Sequence, residues 1–151
     1  MTQISNVHAS FTIERSYDAT PARVFAALAE PEAKARWFVG PEGWTQKERS
    51  LDFREGGRER LVGGFANGTV SAFDAIYHDI VPEQRVVYSY VMHLNGRKIS
   101  VSLATVSLQA TGRGTKLTFT EQAVFIDGYE DGGSRERGTA GLLDQLGASL
   151  A

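Results

Sequence analysis

The feature that most constrains the fold is a stretch of about eighty residues after Trp44 in which apolar and polar side chains alternate. A period of two is that of a β-strand with one buried face. Asn-Gly pairs accept the positive φ angles of tight hairpins, so neighbouring strands are predicted to be antiparallel and to form a meander. Five turn signals divide the stretch into six strands: Glu55–Gly57, Asn67–Gly68, Pro82–Glu83, Asn95–Gly96 and Gly112–Gly114.

One more strand and two short helices are predicted before this sheet. Residues 8–17 alternate in the same way and form a first strand. Thr20 followed by Pro21 indicates a helix start, because the threonine oxygen can accept a free backbone N–H and proline suits the first turn. Pro31 begins a second short helix, which is predicted to end near Gly40.

The last segment has the pattern of a long amphipathic helix that begins after Gly132–Gly133, with Ser134 as its cap. Only the sheet is large enough to cover its apolar stripe. Glycines such as Gly138 and Gly141 would leave space between helix and sheet. The stripe consists of Thr139, Leu142, Leu143, Leu146 and Leu150.

Together these elements predict an α+β fold, in which a curved seven-stranded antiparallel sheet surrounds a long C-terminal helix and two short helices follow the first strand. Residues 1–151 fit a single domain, and 42% apolar residues are enough for one core. A strongly twisted sheet around one helix leaves part of its concave side unfilled. We therefore expect a pocket for a small, largely apolar molecule.

The composition argues against several classes of partner. Sixteen basic and 18 acidic residues give a net charge of −2, which does not suit nucleic acid or an anionic membrane surface. There is no cysteine and no apolar run long enough for a signal or a membrane span, so a cytoplasmic location is expected. The three histidines, His8, His78 and His93, lack the spacing of metal ligands, and neither a metal nor a cofactor is expected.

Several stretches resemble one family. They are ALAEPEAKARWFVGPEGW (Ala27 to Trp44), LDFREGGRERL (Leu51 to Leu61), IVPEQRVVYSY (Ile80 to Tyr90), LTFTEQA (Leu117 to Ala123) and GLLDQL (Gly141 to Leu146). In this order they resemble the family of homologues of the activator of heat-shock-protein-90 ATPase. That family belongs to the START-like, or polyketide-cyclase-like (SRPBCC), superfamily, and the resemblance implies the helix-grip fold.

The chain departs from the family pattern at three positions. Thr139 stands where members usually carry tryptophan, Glu121 where many carry histidine, and Glu59 where an aromatic residue is usual. The scaffold hosts lipid carriers, cyclases, hydrolases and co-chaperone domains, so the resemblance implies the fold and leaves the ligand open.

Strand parity identifies Glu121 as an inward carboxylate, because it shares a face with the apolar residues of the last strand. Glu59 shares a face with Leu61 and is the second candidate. Two carboxyl groups in one dry space would repel each other, which would suit one of them as a general acid or base. The alternative is that each is solvated at the rim or paired with an arginine such as Arg58, Arg60 or Arg97.

The ligand-binding candidates share inward parity or lie on the elements that cover the sheet. Tyrosines in a pocket supply a flat surface and a hydroxyl, although the same residues would also suit a plain core. Near the two short helices, aromatic residues either gate the pocket or anchor those helices. The candidates are Trp37, Phe38, Trp44, Phe65, Tyr88, Tyr90, Phe119, Glu121, Thr139, Leu142 and Leu143.

Three functions are consistent with this pattern. The first is binding of a hydrophobic, lipid-, polyketide- or phenol-like molecule by a monomer or homodimer, with no catalysis. The second is a cofactor-free cyclase, dehydratase or hydrolase in which Glu121 or Glu59 acts as acid or base and Tyr88 or Tyr90 orients the substrate. The third, contact with a heat-shock protein and a role in the stress response, follows from the resemblance alone.

Overall fold

The computed structural model describes residues 4–151, and within them it contains the predicted seven strands and three helices. The turns fall at the five predicted places. The elements are β1 (Asn6–Tyr17), α1 (Pro21–Ala29), α2 (Pro31–Ala35), β2 (Thr45–Leu51), β3 (Arg58–Gly64), β4 (Val70–Val81), β5 (Arg85–Leu94), β6 (Arg97–Thr111), β7 (Gly114–Ile126) and α3 (Ser134–Ser149).

The strands form one antiparallel sheet in the order β1-β7-β6-β5-β4-β3-β2, so β2 to β7 are a meander and β1 closes onto β7. Asn95 and Gly96 have φ angles of 50° and 79°, which are the positive values that a tight hairpin between β5 and β6 requires. The predicted α+β helix-grip fold is therefore confirmed: the sheet is curved, α3 covers it, and the two short helices follow β1.

The start of α1 follows the predicted local chemistry, whereas the end of α2 and the cap of α3 differ from the prediction. Thr20 caps α1, since its side chain accepts from the N–H of Arg23. The second helix, α2, ends at Ala35 rather than near Gly40, and Trp37 lies in the turn beyond it.

The prediction that Ser134 caps the last helix is wrong. Gly133 occupies the cap position in the left-handed conformation, and the Asp131 side chain accepts the N–H of Arg135 at 3.0 Å. The Asp131 carboxylate lies before the helix, and the glycine pair turns the chain so that this carboxylate faces the free N–H groups of the first turn. Ser134 is itself a residue of that turn and therefore does not occupy the cap position.

The last helix is anchored at its C-terminal half. Leu143 and Leu146 are its buried residues, and the Tyr17 hydroxyl donates to the Leu143 carbonyl at 2.7 Å. Gly147 lies against the Tyr17 ring so closely that a Cβ there would come within 2.9 Å of Tyr17 Cε1. Within residues 4–151, no helix combines the length and apolar character needed to cross a membrane.

Candidate functional site

A pocket of about 480 Å³ lies between α3, the segment after α2 and the inner face of the sheet; we call it the α3 pocket. Its volume falls in the range of small-molecule sites. The pocket is bordered by all eleven residues that the sequence indicated as ligand-binding candidates: Trp37, Phe38, Trp44, Phe65, Tyr88, Tyr90, Phe119, Glu121, Thr139, Leu142 and Leu143.

Aromatic side chains form a continuous row along the wall of the α3 pocket. The Tyr77 and Tyr88 ring centroids are 5.6 Å apart, those of Tyr88 and Tyr90 6.1 Å, and those of Tyr90 and Phe73 4.8 Å. The row arises because β4 and β5 pair in register, which places Tyr77 opposite Tyr88. Such rings offer a large apolar contact area with little loss of side-chain freedom.

Within this row, Tyr88 differs from its two neighbours. The Tyr77 and Tyr90 hydroxyls each donate to a glutamate, whereas no hydrogen bond to the Tyr88 hydroxyl is found among residues 4–151. Burial, together with the nearby Tyr90, Glu121 and Glu59, raises the pKa of Tyr88 well above its ordinary value. Its hydroxyl therefore remains protonated and is free to donate to a molecule in the pocket.

Glu121 is fully buried on β7, as its parity predicted. Its Oε2 accepts from the Tyr90 hydroxyl at 2.8 Å and from Arg135 Nη1 at 3.3 Å. Burial raises the pKa of Tyr90, and the nearby carboxylate adds to the effect while Arg135 opposes it. The hydroxyl thus keeps the proton that it donates to Glu121.

Arg135, in the first turn of α3, crosses from the helix to the sheet. Its Nη2 donates to Ser100 Oγ at 2.8 Å, and Nη1 lies 3.0 Å from the Tyr90 hydroxyl and 3.3 Å from Ser102 Oγ. Burial alone would lower its pKa, but Tyr90 and Glu121 outweigh burial and raise it. The guanidinium therefore stays charged within the protein and forms an ion pair with Glu121.

The second oxygen of Glu121 has no such partner. Oε1 is buried, and among residues 4–151 no side chain or backbone group donates to it. A buried acceptor without a donor is costly, because it has lost its hydrogen bonds to water and gained none. In the part of the chain that the structure describes, this is the one buried side-chain oxygen or nitrogen left in that state.

Glu59 belongs to a separate cluster. It is 3% exposed, and its Oε1 accepts from Lys34 Nζ and from the Tyr77 hydroxyl, both at 2.6 Å. Lys34 is itself 7% exposed, and its Nζ lies 4.7 Å from the centre of the Phe38 ring. Burial, followed by the charge of Glu59 and its hydrogen bond, raises the pKa of Tyr77.

This arrangement corrects the prediction about the two carboxylates. Glu59 does not border the α3 pocket, although Lys34 and Tyr77 do, so the two glutamates do not share one dry space. Each is paired, as the alternative held, but the arginines named for that alternative are not the partners. Arg60 pairs with Asp74 and Glu48, Arg97 donates to the Asp127 carbonyl, and Arg58 makes no ion pair within residues 4–151. The true partners are Arg135 and Lys34.

The aromatic residues near the short helices close one side of the pocket. Trp37 donates its indole N–H to the Ala27 carbonyl at 2.8 Å, which anchors the turn after α2 to α1. Trp44 packs on the backbone of Gly63, where any Cβ would collide with its indole ring. On the opposite side, Gln145 Nε2 donates to the Trp37 carbonyl at 2.6 Å and ties α3 to the same turn.

Sequence reasoning missed the two cations that pair with the buried glutamates, Lys34 and Arg135, although a signal existed for each. Arg135 stands in the first turn of a helix, where a positive charge opposes the helix dipole and implies a specific partner. Lys34 precedes Trp37 and Phe38 by three and four residues. In a helical turn this spacing places side chains next to each other, which indicates that Lys34 packs against the two aromatic rings. Within residues 4–151, no group of three histidine, aspartate or glutamate residues could hold a metal ion.

Comparison with known proteins agrees with this architecture. A family model described as "Activator of Hsp90 ATPase homolog 1-like protein" matches residues 18–151. A solved structure from Rhizobium leguminosarum is 47% identical, covers 99% of this chain and 98% of its own, and has a TM-score of 0.95. The Mll3558 protein from Rhizobium loti is 45% identical, with coverages of 96% and 99% and a TM-score of 0.88.

More distant structures share the fold. CalU16 from Micromonospora echinospora is 21% identical, covers 100% of this chain and 87% of its own, and has a TM-score of 0.68. No curated protein matches the sequence. The resemblance seen in the five sequence stretches is thereby confirmed, and the chain belongs to the activator of Hsp90 ATPase homolog 1-like family.

Proposed function

We propose that the protein binds a small, largely apolar molecule in the α3 pocket and holds it by one or two polar anchors. The observation that carries the proposal is that apolar and aromatic side chains line a space of about 480 Å³ in which the Tyr88 hydroxyl has no hydrogen-bond partner among residues 4–151. Proteins of this family and superfamily commonly bind small hydrophobic ligands, which supports the same conclusion.

The contacts of the glutamates favour binding over acid–base catalysis. Glu59 is enclosed by Lys34 and Tyr77 and does not reach the α3 pocket. Glu121 is held by Tyr90 and Arg135, which fix its position. A fixed carboxylate and a free tyrosine hydroxyl are suited to orienting a ligand, and lipid-, polyketide- and phenol-like molecules all have the required apolar body.

The test is binding of a neutral fluorescent probe, N-phenyl-1-naphthylamine, to the wild type and to Gly138→Leu. A Cβ at Gly138 meets no atom within 4 Å, and this residue borders the α3 pocket, so leucine would occupy pocket space without a clash at its Cβ. Glu136→Leu is the matched control, because this exposed residue lies on the same helix and does not border the pocket. We expect saturable binding that Gly138→Leu weakens at least tenfold and Glu136→Leu leaves unchanged. Equal binding by all three proteins would contradict the proposal.

A further inference from the structure

The unpartnered oxygen of Glu121 indicates which chemical group a ligand should carry. Oε1 is buried on a residue that borders the α3 pocket, and no group among residues 4–151 donates to it. The hydrogen bonds of the two neighbouring donors go to other atoms: the Tyr90 hydroxyl and Arg135 Nη1 donate to Oε2, and Arg135 Nη2 donates to Ser100. Among residues 4–151 no group donates to Oε1, so the position is open to a donor from a bound molecule or a water.

The sheet register places a second free group on the same row. Tyr88 on β5 is opposite Ala104 on β6, and Ala104 is opposite Glu121 on β7. The backbones of β5 and β7 are thus two strand spacings apart, or about 10 Å. Because the residue between them is a fully buried alanine, no large side chain rises from β6 between Tyr88 and Glu121.

We propose that the ligand of the α3 pocket carries a hydroxyl group that donates to Glu121 Oε1, so that the site selects neutral alcohols or phenols over carboxylates and over ethers of the same shape. This inference rests on the proposed function and deepens it. Tyr88, on the same row, donates to an acceptor oxygen on the ligand.

Charge explains why an acid would be rejected. Arg135 is the cation beside Glu121, and its positive charge is already balanced by that carboxylate. A ligand carboxylate at Oε1 would bring a second negative charge against the first in a poorly solvated space, where like charges repel strongly. An ether would avoid the repulsion but would leave Oε1 without a donor.

The experiment compares three ligands with the same ring system: 2-naphthol, 2-methoxynaphthalene and 2-naphthoate. Dissociation constants are measured by isothermal titration calorimetry near pH 7. A hydrogen bond to a charged acceptor is worth about ten- to a hundredfold in affinity, so 2-naphthol is expected to bind that much more tightly than the methyl ether. The carboxylate is expected to be the weakest of the three.

Glu121→Gln provides a readout that a merely structural role would not give. If the amide oxygen keeps the Oε2 contacts with Tyr90 and Arg135, the amide NH2 takes the place of Oε1 and turns an acceptor into a donor. We therefore expect the preference for 2-naphthol over 2-methoxynaphthalene to be lost or reversed. Glu136→Gln, the same change at an exposed position of α3, should keep the wild-type preference.

The outcomes separate the two proposals. Three outcomes would overturn the hydroxyl inference and leave pocket binding standing. The wild type could bind 2-naphthol and 2-methoxynaphthalene equally, or it could bind 2-naphthoate more tightly than 2-naphthol. The third outcome is a folded Glu121→Gln protein that keeps the wild-type preference. Failure of all three ligands and of N-phenyl-1-naphthylamine to bind would overturn both. If Glu121→Gln does not fold, as judged by circular dichroism, the three affinities of the wild type decide.

Discussion

Arg135 on α3 and Glu121 on β7 form a buried ion pair, with Nη1 3.3 Å from Oε2 and side chains 11% and 1% exposed. It joins the first turn of the last helix to the strand β7, which contributes Glu121 to the wall of the α3 pocket. Removing one partner of such a pair leaves the other charge buried and uncompensated.

Replacing Arg135 should therefore destabilise the protein substantially. For Arg135→Met we expect the free energy of unfolding to fall by about 3–5 kcal/mol, measured by urea denaturation. Arg137→Met is the control, since Arg137 is exposed two residues further along α3 and its side chain donates to the Gly132 carbonyl rather than to a buried carboxylate. The control should change the free energy of unfolding by no more than about 0.5 kcal/mol. Similar losses of unfolding free energy in both variants would show that the buried ion pair contributes no more to stability than the exposed arginine does.

The Lys34–Glu59 pair should show strong coupling in a double-mutant cycle. Lys34→Met leaves a glutamate that is 3% exposed without its cation, and we expect a loss of about 3–5 kcal/mol in the free energy of unfolding. The double variant Lys34→Met, Glu59→Gln should lose less than the sum of the two single variants, because it leaves no unpaired charge. Additive losses in the cycle would contradict a direct interaction.

Alkaline pH should unfold the protein through its buried tyrosines. Four of the five tyrosines, Tyr17, Tyr77, Tyr88 and Tyr90, have pKa values raised above 10.0, with burial as the largest cause. The neutral form is favoured in the folded state, so their contribution to stability is complete below pH 10 and is lost as pH rises above it. Each such tyrosine lowers the free energy of unfolding by about 1.4 kcal/mol per pH unit there.

The variant Tyr88→Phe tests whether stability falls with rising pH because of this tyrosine. Above pH 10 its free energy of unfolding should fall less steeply than that of the wild type, by about 1.4 kcal/mol per pH unit. Urea denaturation at several pH values gives the slopes, and tyrosinate absorbance near 295 nm should appear together with unfolding. Identical slopes for the two proteins would rule out the expected contribution of Tyr88.

Two glycines of α3, Gly138 and Gly147, should respond oppositely to replacement by alanine. Gly138→Ala adds a Cβ that meets nothing within 4 Å, and alanine is favoured over glycine in a helix by up to about 1 kcal/mol, so this variant should be more stable. Gly147→Ala places a Cβ 2.9 Å from Tyr17 Cε1, and the Tyr17 ring is held by its hydroxyl bond to Leu143, so this variant should be less stable. Thermal unfolding of both proteins measures the two signs.

The strands and turns could be predicted because their signals are local. Alternation assigned Glu121 to the inner face, and pairs such as Asn95–Gly96 marked the hairpins. The end of α2 was harder to predict. Trp37 has helical spacing from Ala33, yet it lies in a turn because its indole binds the Ala27 carbonyl and holds it against α1.

By itself, the sequence determined the order of the elements, the inward parity of Glu121 and Glu59, and eleven of the residues that border the α3 pocket. Only the tertiary structure decided that Arg135 pairs with Glu121 and Lys34 with Glu59, partners 14 and 25 residues apart in the chain. Periodicity and turn chemistry act over a few residues and can be read along a chain. Ion pairs depend instead on where a curved sheet and its helices meet, which no local pattern specifies.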